Sequence, residues 1–246
     1  MRSISDLGVK LFADGADLRE MMSLYRCPYI RGFTTNPTLM RRAGVNDYQQ
    51  FAADVLAAIP DRPVSFEVFS DDFDEMEREA RAIAAWGPCV YVKIPVTNTR
   101  GEPSYDLIHR LSRAGVHVNV TAVMTLDQVD RAARALAGGA PSNVSMFAGR
   151  IADTGRDPVP MMADAVAILA AAPRAELIWA SPRELLNVFQ ADAVGCHIIT
   201  VTADILRKVE FVGKDLDLVS LETVRMFRED ALRAGLIVTA EGQAAC

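Results

Sequence analysis

A lysine lies near the end of a short apolar run, residues 89–95, which reads Cys-Val-Tyr-Val-Lys-Ile-Pro. Burying the ammonium group of this residue, Lys93, costs free energy unless it is paired, and loss of its proton reduces that cost. A neutral amine in an apolar site can attack a carbonyl and form a Schiff base. The alternative is a structural ion pair of Lys93 with Asp14 or Glu67. The other lysines begin a strand or lie in a charged segment, and they are Lys10, Lys208 and Lys214.

Two carboxylates lie near the ends of other apolar runs and could act together with Lys93. Asp14 follows the run Lys10-Ala13, and Glu67 lies in the run Val64-Val68. Carboxylates beside an amine can transfer protons to and from substrate hydroxyls or position a water molecule. Asp14 has an alternative structural role, as a cap for a helix that starts near Asp17.

Strand-like runs alternate along the chain with longer runs of helical period, such as residues 71–85, and this alternation is typical of repeated βα units. Eight such units without a linker favour a (β/α)₈ TIM barrel, with one domain spanning residues 1–246. We expect an extra C-terminal helix at residues 218–236 that covers the barrel or a neighbouring subunit. The predicted strands are Lys10-Asp14, Ile30-Thr34, Val64-Val68, Cys89-Ile94, Val116-Thr121, Asn143-Phe147, Glu176-Ala180 and His197-Val201.

The ends of these strands carry polar residues, where a TIM barrel places its catalytic groups. Alternation along a strand puts Asn119 and Thr121 on one face, so they converge with Lys93 if that face points inward. Arg150 and Arg183 follow the sixth and seventh strands. With Ser181 as the N-cap of a helix that begins at Pro182, they suit a phosphate dianion. Taken singly, each arginine is more typical of a solvated surface.

Composition excludes several classes of function. The formal net charge is −6 and no dense Lys/Arg run occurs, which argues against nucleic-acid and anionic-membrane partners. No apolar run approaches the roughly 20 residues that span a bilayer, so we expect a cytoplasmic protein. The cysteines are scattered without CxxC pairs or companion histidines, which predicts no disulfide and no zinc site, and we expect no metal and no cofactor. They are Cys27, Cys89, Cys196 and Cys246.

Five motifs in chain order are similar to those of one known family. They are Gly32-Phe-Thr-Thr-Asn-Pro-Thr38, Tyr91-Val-Lys-Ile-Pro-Val-Thr97, Asn119-Val-Thr-Ala122, Phe147-Ala-Gly-Arg150 and Trp179-Ala-Ser-Pro-Arg183. The chain thereby resembles the transaldolase and fructose-6-phosphate aldolase family of Schiff-base enzymes. The resemblance runs from Asp14 to about Thr202.

The resemblance implies a role for each matched residue. Lys93 would attack the ketone of a ketose phosphate, and Asp14 would take the C4 hydroxyl proton as the C3–C4 bond breaks. Glu67 and Thr121 would orient the water of carbinolamine dehydration. An aldose phosphate would then accept the dihydroxyacetone unit. The implied substrate-binding residues are Thr35, Asn36, Asn119, Ser145 and Phe147, with Arg150, Ser181 and Arg183 at the phosphate.

Two positions favour the transaldolase branch over the aldolase branch. At position 67 this chain has a glutamate where the aldolases carry a glutamine. At position 147 it has a phenylalanine where the aldolases carry a tyrosine that helps release the enamine to water. The alternatives are an aldolase that frees dihydroxyacetone, a transaldolase for a sulfonated or longer-chain sugar, suggested by Pro182 where a phenylalanine is usual, or a silent sugar-phosphate-binding barrel. The compact branch also implies carbohydrate metabolism, including the pentose phosphate pathway, and a homo-oligomer, a pentamer or a decamer.

Overall fold

The computed structural model describes residues 4–236, apart from the side chain of Ser5. Eight parallel strands form a closed barrel in chain order, as the alternation of elements predicts. The strands are β1 (Lys10–Asp14), β2 (Ile30–Thr34), β3 (Val64–Glu67), β4 (Val90–Pro95), β5 (Val118–Val123), β6 (Ser142–Met146), β7 (Ala175–Trp179) and β8 (Ile198–Thr202). The predicted (β/α)₈ barrel is confirmed, and the strand ends differ from the predicted ones by no more than two residues.

Helices follow every strand of the barrel. They are α1 (Leu18–Tyr25), α2 (Pro37–Arg42), α3 (Tyr48–Ala58), α4 (Phe73–Ala84), α5 (Tyr105–Arg113), α6 (Leu126–Leu136), α7 (Ala148–Ala152), α8 (Pro158–Leu169), α9 (Leu186–Ala193) and α10 (Ala203–Leu206), with 3₁₀ turns at Ile4–Asp6 and Arg207–Phe211. The capping box predicted before α6 is present, because Thr125 Oγ1 accepts from Gln128 N and Gln128 Oε1 accepts from Thr125 N.

Alternation along the strands separates two apolar layers. Outward residues such as Leu11 and Leu177 pack under the helices in the main core, whereas Phe12, Ile178 and Ile198 form a separate cluster inside the barrel. Gly32 is paired with Phe12 across β1 and β2. The Phe12 ring fills the space where a side chain at position 32 would lie, since an added Cβ would be 2.5 Å from Phe12 Cζ.

The C-terminal helix belongs to a second compact unit. Among the described residues, 4–209 form one unit and 210–236 belong to the other. Its helix α11 (Leu216–Arg233) begins two residues before the predicted start at Leu218 and ends three residues before Leu236, because Gly235 adopts a left-handed φ of 65°. The single domain over residues 1–246, the surface that the helix covers and the homo-oligomer stay predictions. No helix within residues 4–236 is long and apolar enough to cross a bilayer.

We expect Gly32→Ala to destabilise the barrel by about 1–3 kcal/mol, because the new methyl group overpacks the Phe12 layer. The measurement is the free energy of unfolding in urea. Gly87→Ala is the matched control, since an added Cβ there meets only ordinary contacts of 3.8 Å and longer and is expected to be neutral or slightly stabilising. Equal unfolding free energies for the two variants would contradict this packing argument.

Candidate active site

Lys93 lies inside the barrel near the carboxyl end of β4 and is 6% exposed. Its amine donates hydrogen bonds to the carbonyl oxygen of Thr35, at 2.9 Å, and to Glu67 Oε2, at 3.0 Å. The register of the sheet produces this pair, because Glu67 on β3 is paired directly with Lys93 on β4. The ion pair considered as the alternative for Lys93 is therefore present, but it lies in a cavity rather than on a closed surface.

Asp14 faces the same cavity from the end of β1. Thr34 Oγ1 donates to Asp14 Oδ1 at 2.8 Å, and Asn36 Nδ2 lies 3.5 Å from Asp14 Oδ2. Burial raises the pKa of Asp14, while the charge of Lys93 and the hydrogen bond from Thr34 oppose that rise. Asp14 is not a helix cap, because Asp17 caps α1.

Thr200 on β8 completes the polar environment of Asp14 and was missed by sequence reasoning. Its hydroxyl is hydrogen-bonded to Thr34 Oγ1. Because Thr34 donates its single proton to Asp14, Thr200 must donate to Thr34. The only signal was alternation, which places Thr200 on the inward face of β8 with Ile198.

Tyr48, the first residue of α3, holds Glu67 in place and was also missed. Its hydroxyl accepts from Glu67 N at 2.8 Å and donates to Glu67 O at 2.9 Å. Strand β2 pairs with β3 only through Phe33 with Val64 and Thr34 with Ser65. The phenol therefore takes the place of a strand partner for the backbone of the last residue of β3.

A chain of hydrogen bonds ties together the strands below the cavity. Ser145 Oγ donates to Asn119 Oδ1 at 2.7 Å, and Asn119 Nδ2 donates to Ser65 Oγ at 3.1 Å. Ser145 lines the cavity, whereas Asn119 is fully buried beneath it. Thr121 Oγ1 is buried, lines the cavity and has no hydrogen-bond partner among the described residues. A buried hydroxyl of this kind is available to a ligand or a water molecule.

The residues predicted to bind substrate do not all reach the cavity, whose volume is about 430 Å³. Asn36, Phe147, Arg150 and Ser181 line it together with Asp14, Glu67, Lys93, Thr121 and Ser145. Thr35 does not, since its hydroxyl donates to the carbonyl oxygen of Ser65, at 2.9 Å. Missed residues that do line it include Thr38, Leu39, Arg42 and Met124.

The predicted helix start at Ser181 and Pro182 is wrong. Helix α9 begins at Leu186, and the side chain of Asn187 accepts from the amides of Arg183 and Glu184 at 2.8 and 3.1 Å. These amides are thus capped from within the helix, and Ser181 takes a left-handed φ of 59° before it. Gly149 permits this conformation, because a Cβ there would lie 1.5 Å from the Ser181 carbonyl oxygen.

Arg183 does not line the cavity. Its guanidinium forms a two-pronged ion pair with Asp153, in which Nε lies 3.1 Å from Oδ1 and Nη2 contacts Oδ2. Arg150 faces the cavity beside Phe147, with its guanidinium carbon 5.5 Å from the centre of that ring. Within residues 4–236, no group of three or more histidine, cysteine or acidic side chains could hold a metal ion.

A sequence model described as "Transaldolase/Fructose-6-phosphate aldolase" matches residues 11–239. The chain belongs to this family. The family resemblance inferred from the motifs is therefore confirmed.

Relatives of this chain are named as probable transaldolases. A probable transaldolase of Dehalococcoides mccartyi is 35% identical over 202 residues, which cover 82% of this chain and 90% of the relative. A probable transaldolase of a Thermoanaerobacter species is 34% identical over 229 residues, covering 93% of this chain and 99% of the relative. These names indicate an enzyme of transaldolase type.

Solved structures with little sequence similarity share the barrel fold. A 2,3-dimethylmalate lyase superposes with a TM-score of 0.54 at 13% identity, covering 98% of this chain and 89% of that one. A mandelate oxidase variant superposes with a TM-score of 0.55 at 15% identity, covering 82% of this chain and 71% of that one. At these identities the similarity concerns the fold alone.

We expect Asp14→Asn to stabilise the fold most at alkaline pH. Because the pKa of Asp14 is raised on folding, its ionisation opposes folding increasingly as the pH rises from the ordinary value of 3.8 to the raised value, and the cost stays constant above it. The gain over wild type should shrink as the pH falls towards the ordinary value of 3.8, below which Asp14 is protonated in both states. The difference in unfolding free energy between the variant and wild type is measured by urea unfolding at several pH values between about 4 and 8.

The control is Asp164→Asn, which makes the same charge change on an exposed residue of α8. A stability gain for Asp14→Asn that stays constant or grows as the pH falls would contradict the assignment.

Proposed function

We propose that this chain is a transaldolase that transfers a dihydroxyacetone unit from a ketose phosphate, such as fructose 6-phosphate, to an aldose phosphate. The observation that carries the proposal is the buried amine of Lys93, which faces a cavity between Glu67 and the carbonyl oxygen of Thr35. Family membership over residues 11–239 supports the same chemistry.

The first half of the reaction uses the Lys93–Glu67 pair. Transfer of a proton from Lys93 to Glu67, 3.0 Å away, frees the lone pair that attacks the C2 carbonyl of the donor. The protonated carboxyl can then donate to the carbinolamine hydroxyl as it leaves as water. The unpaired hydroxyl of Thr121 supplies a further hydrogen bond for that water. One proton of the attacking nitrogen passes to the former carbonyl oxygen and one stays on nitrogen, so the product of this half is a protonated imine between Lys93 and the donor.

The second half uses Asp14. Its carboxylate takes the proton of the C4 hydroxyl, the C3–C4 bond breaks, and an aldose phosphate leaves while a dihydroxyacetone enamine stays on Lys93. A pKa raised by burial makes Asp14 a stronger base than an ordinary aspartate and lets it return the proton when the acceptor binds. Asn36, Ser145, Arg150 and Ser181 line the cavity; in this proposal the first two bind donor hydroxyls and the last two bind the phosphate. Arg183 reaches the phosphate only after leaving Asp153.

We expect borohydride with fructose 6-phosphate to reduce the imine and leave a mass increase on the peptide that contains Lys93. Lys93→Ala should lose both the adduct and at least about 10³-fold in kcat/KM. The control is Lys10→Arg, because Lys10 lies at the opposite end of the barrel, paired with Glu176, and should keep the label. A peptide without adduct, or an adduct on another lysine, would overturn the proposal.

An aldolase that releases free dihydroxyacetone is the second candidate, and Phe147 argues against it. This side chain lines the cavity and offers no hydroxyl to protonate the enamine, so transfer to an acceptor is favoured. The remaining alternative, a sulfonated or longer-chain donor, is addressed by a panel of donors and acceptors.

We expect turnover without an aldehyde acceptor to be slow, and Phe147→Tyr to raise it about tenfold or more by adding a proton donor. The assay is the release of dihydroxyacetone from fructose 6-phosphate with and without an acceptor. Phe147→Leu is the control that changes the ring without adding a hydroxyl. Equal wild-type rates with and without the acceptor would make the aldolase the correct function.

A further inference from the structure

The backbone of Glu67 lies where strand β3 has lost its neighbour on one side. Strand β2 ends at Thr34, and the amide and hydroxyl of the next residue, Thr35, both donate to the carbonyl oxygen of Ser65, at 3.2 and 2.9 Å. Glu67 lies two residues further along β3 and has no paired residue on β2. Backbone amide and carbonyl groups away from bulk water need partners, so this strand end must find them on another element.

Tyr48 supplies both of these bonds from the start of α3. Its hydroxyl accepts from the amide of Glu67 at 2.8 Å and donates to the carbonyl oxygen of Glu67 at 2.9 Å. Asp47 caps α3 by accepting from the amide of Gln50 at 2.9 Å, which fixes Tyr48 as the first residue of the helix. Burial raises the pKa of Tyr48 above its ordinary value of 10.0, so the phenol keeps the proton that it donates.

Three aromatic rings hold the ring of Tyr48 independently of its hydroxyl. Its centre lies 4.7 Å from that of Phe69, 5.5 Å from that of Trp86 and 6.2 Å from that of Phe66. These distances are typical of favourable aromatic pairs. Removal of the hydroxyl alone therefore leaves the packing of the ring in place, and the two bonds to Glu67 can be tested without opening a cavity.

A second side chain holds the segment that follows Glu67. Glu79 of α4 accepts from the amides of Phe69 and Ser70, at 2.8 and 3.0 Å, and from the hydroxyl of Ser70, at 2.8 Å. The end of β3 and the loop after it are thus fixed by separate residues, Tyr48 and Glu79. The bonds to Glu79 serve as an internal reference, because a change at Tyr48 should leave them intact.

The hydroxyl of Tyr48 acts on the site from outside it. Tyr48 is not among the residues that line the central cavity, whereas Glu67 and Lys93 both line it. The carboxylate of Glu67 lies 3.0 Å from the amine of Lys93. Proton transfer over such a contact is sensitive to position, and a displacement of about 1 Å can cost about 10²-fold in rate.

We propose that Tyr48 is a positioning residue for imine formation, because its hydroxyl fixes the backbone of Glu67 and thereby holds the carboxyl group beside Lys93. The inference rests on the proposed function, since it concerns the proton-transfer partner of the same amine. The dependent step is loss of water from the carbinolamine. Glu67 gives its proton to the carbinolamine hydroxyl, the C2–O bond breaks with its electron pair on the departing water, and the nitrogen lone pair forms the C=N bond.

We expect Tyr48→Phe to slow imine formation with fructose 6-phosphate by about 10–100-fold, with little change in KM. The measurement is the amount of borohydride-trapped Lys93 as a function of reaction time, on protein that urea unfolding shows to be folded. Tyr25→Phe is the matched control, because it removes a hydroxyl that donates to Asp61 at 2.6 Å on the exposed side of α1, and it should keep the wild-type rate. Equal losses in the two variants would overturn the inference.

The Glu67→Gln variant distinguishes positioning of the carboxyl group from a general loss of order. The glutamine side chain cannot transfer protons as the carboxyl group does, while the backbone still bonds to Tyr48. Tyr48→Phe should therefore change the trapping rate by less than about twofold in the Glu67→Gln background. An equally large effect of Tyr48→Phe in the wild-type and Glu67→Gln backgrounds would show that the hydroxyl does not act through the carboxyl group.

Hydrogen exchange tests the bond itself without any sugar. In Tyr48→Phe the amide of Glu67 should exchange with solvent at least about tenfold faster, while the amides of Phe69 and Ser70 keep their wild-type rates. An unchanged rate at Glu67 would contradict the inference.

The wild-type protein separates the failure of this inference from the failure of the proposed function. If borohydride leaves wild-type Lys93 without an adduct, the proposed function fails and the inference fails with it. If wild-type Lys93 is trapped but Tyr48→Phe forms the imine at the wild-type rate, the inference is wrong and the proposed function stands.

Discussion

The direct pairing of Glu67 with Lys93 across β3 and β4 is the constraint on which the site depends. Two opposite charges inside a barrel are tolerated only when their geometry and remaining hydrogen bonds are good, and removing one partner of such a pair typically costs about 3–5 kcal/mol. The carbonyl oxygen of Thr35 meets part of the remaining need of the amine. The register of the sheet therefore holds the amine of Lys93 and the carboxylate of Glu67 in contact.

The inside of the barrel changes character along its axis, and this change explains why the charges are stable there. The Phe12 cluster fills one level with apolar side chains. Above it, Ser145, Asn119 and Ser65 satisfy one another, which stiffens the floor of the site. Thr121 is the exception in this layer, and its unsatisfied hydroxyl beside the cavity is available to a ligand or a water molecule.

Much of the fold was predictable because the two periodicities are clear in the sequence and because parallel strands bring their carboxyl ends to one edge. That rule alone brings Asp14 and Lys93 to one cavity. It could not predict Tyr48, whose role depends on how α3 crosses β3, or the ion pair of Arg183 with a residue thirty positions away. The residues from Ser181 onward have the pattern of a helix start, but the side chain of Asn187 caps the amides of Arg183 and Glu184. The helix therefore begins later, at Leu186.

The junction between β2 and β3 is a place where the barrel can open locally. Few backbone pairs join these strands, and the hydroxyl of Tyr48 supplies two of the bonds that hold the end of β3. Proteins open locally where their backbone ladders are short, without losing the rest of the fold. An opening confined to this junction would let water reach the ion pair and would move the carbonyl oxygen of Thr35 away from the amine of Lys93. The geometry around the buried amine therefore tolerates less local opening than the barrel as a whole does.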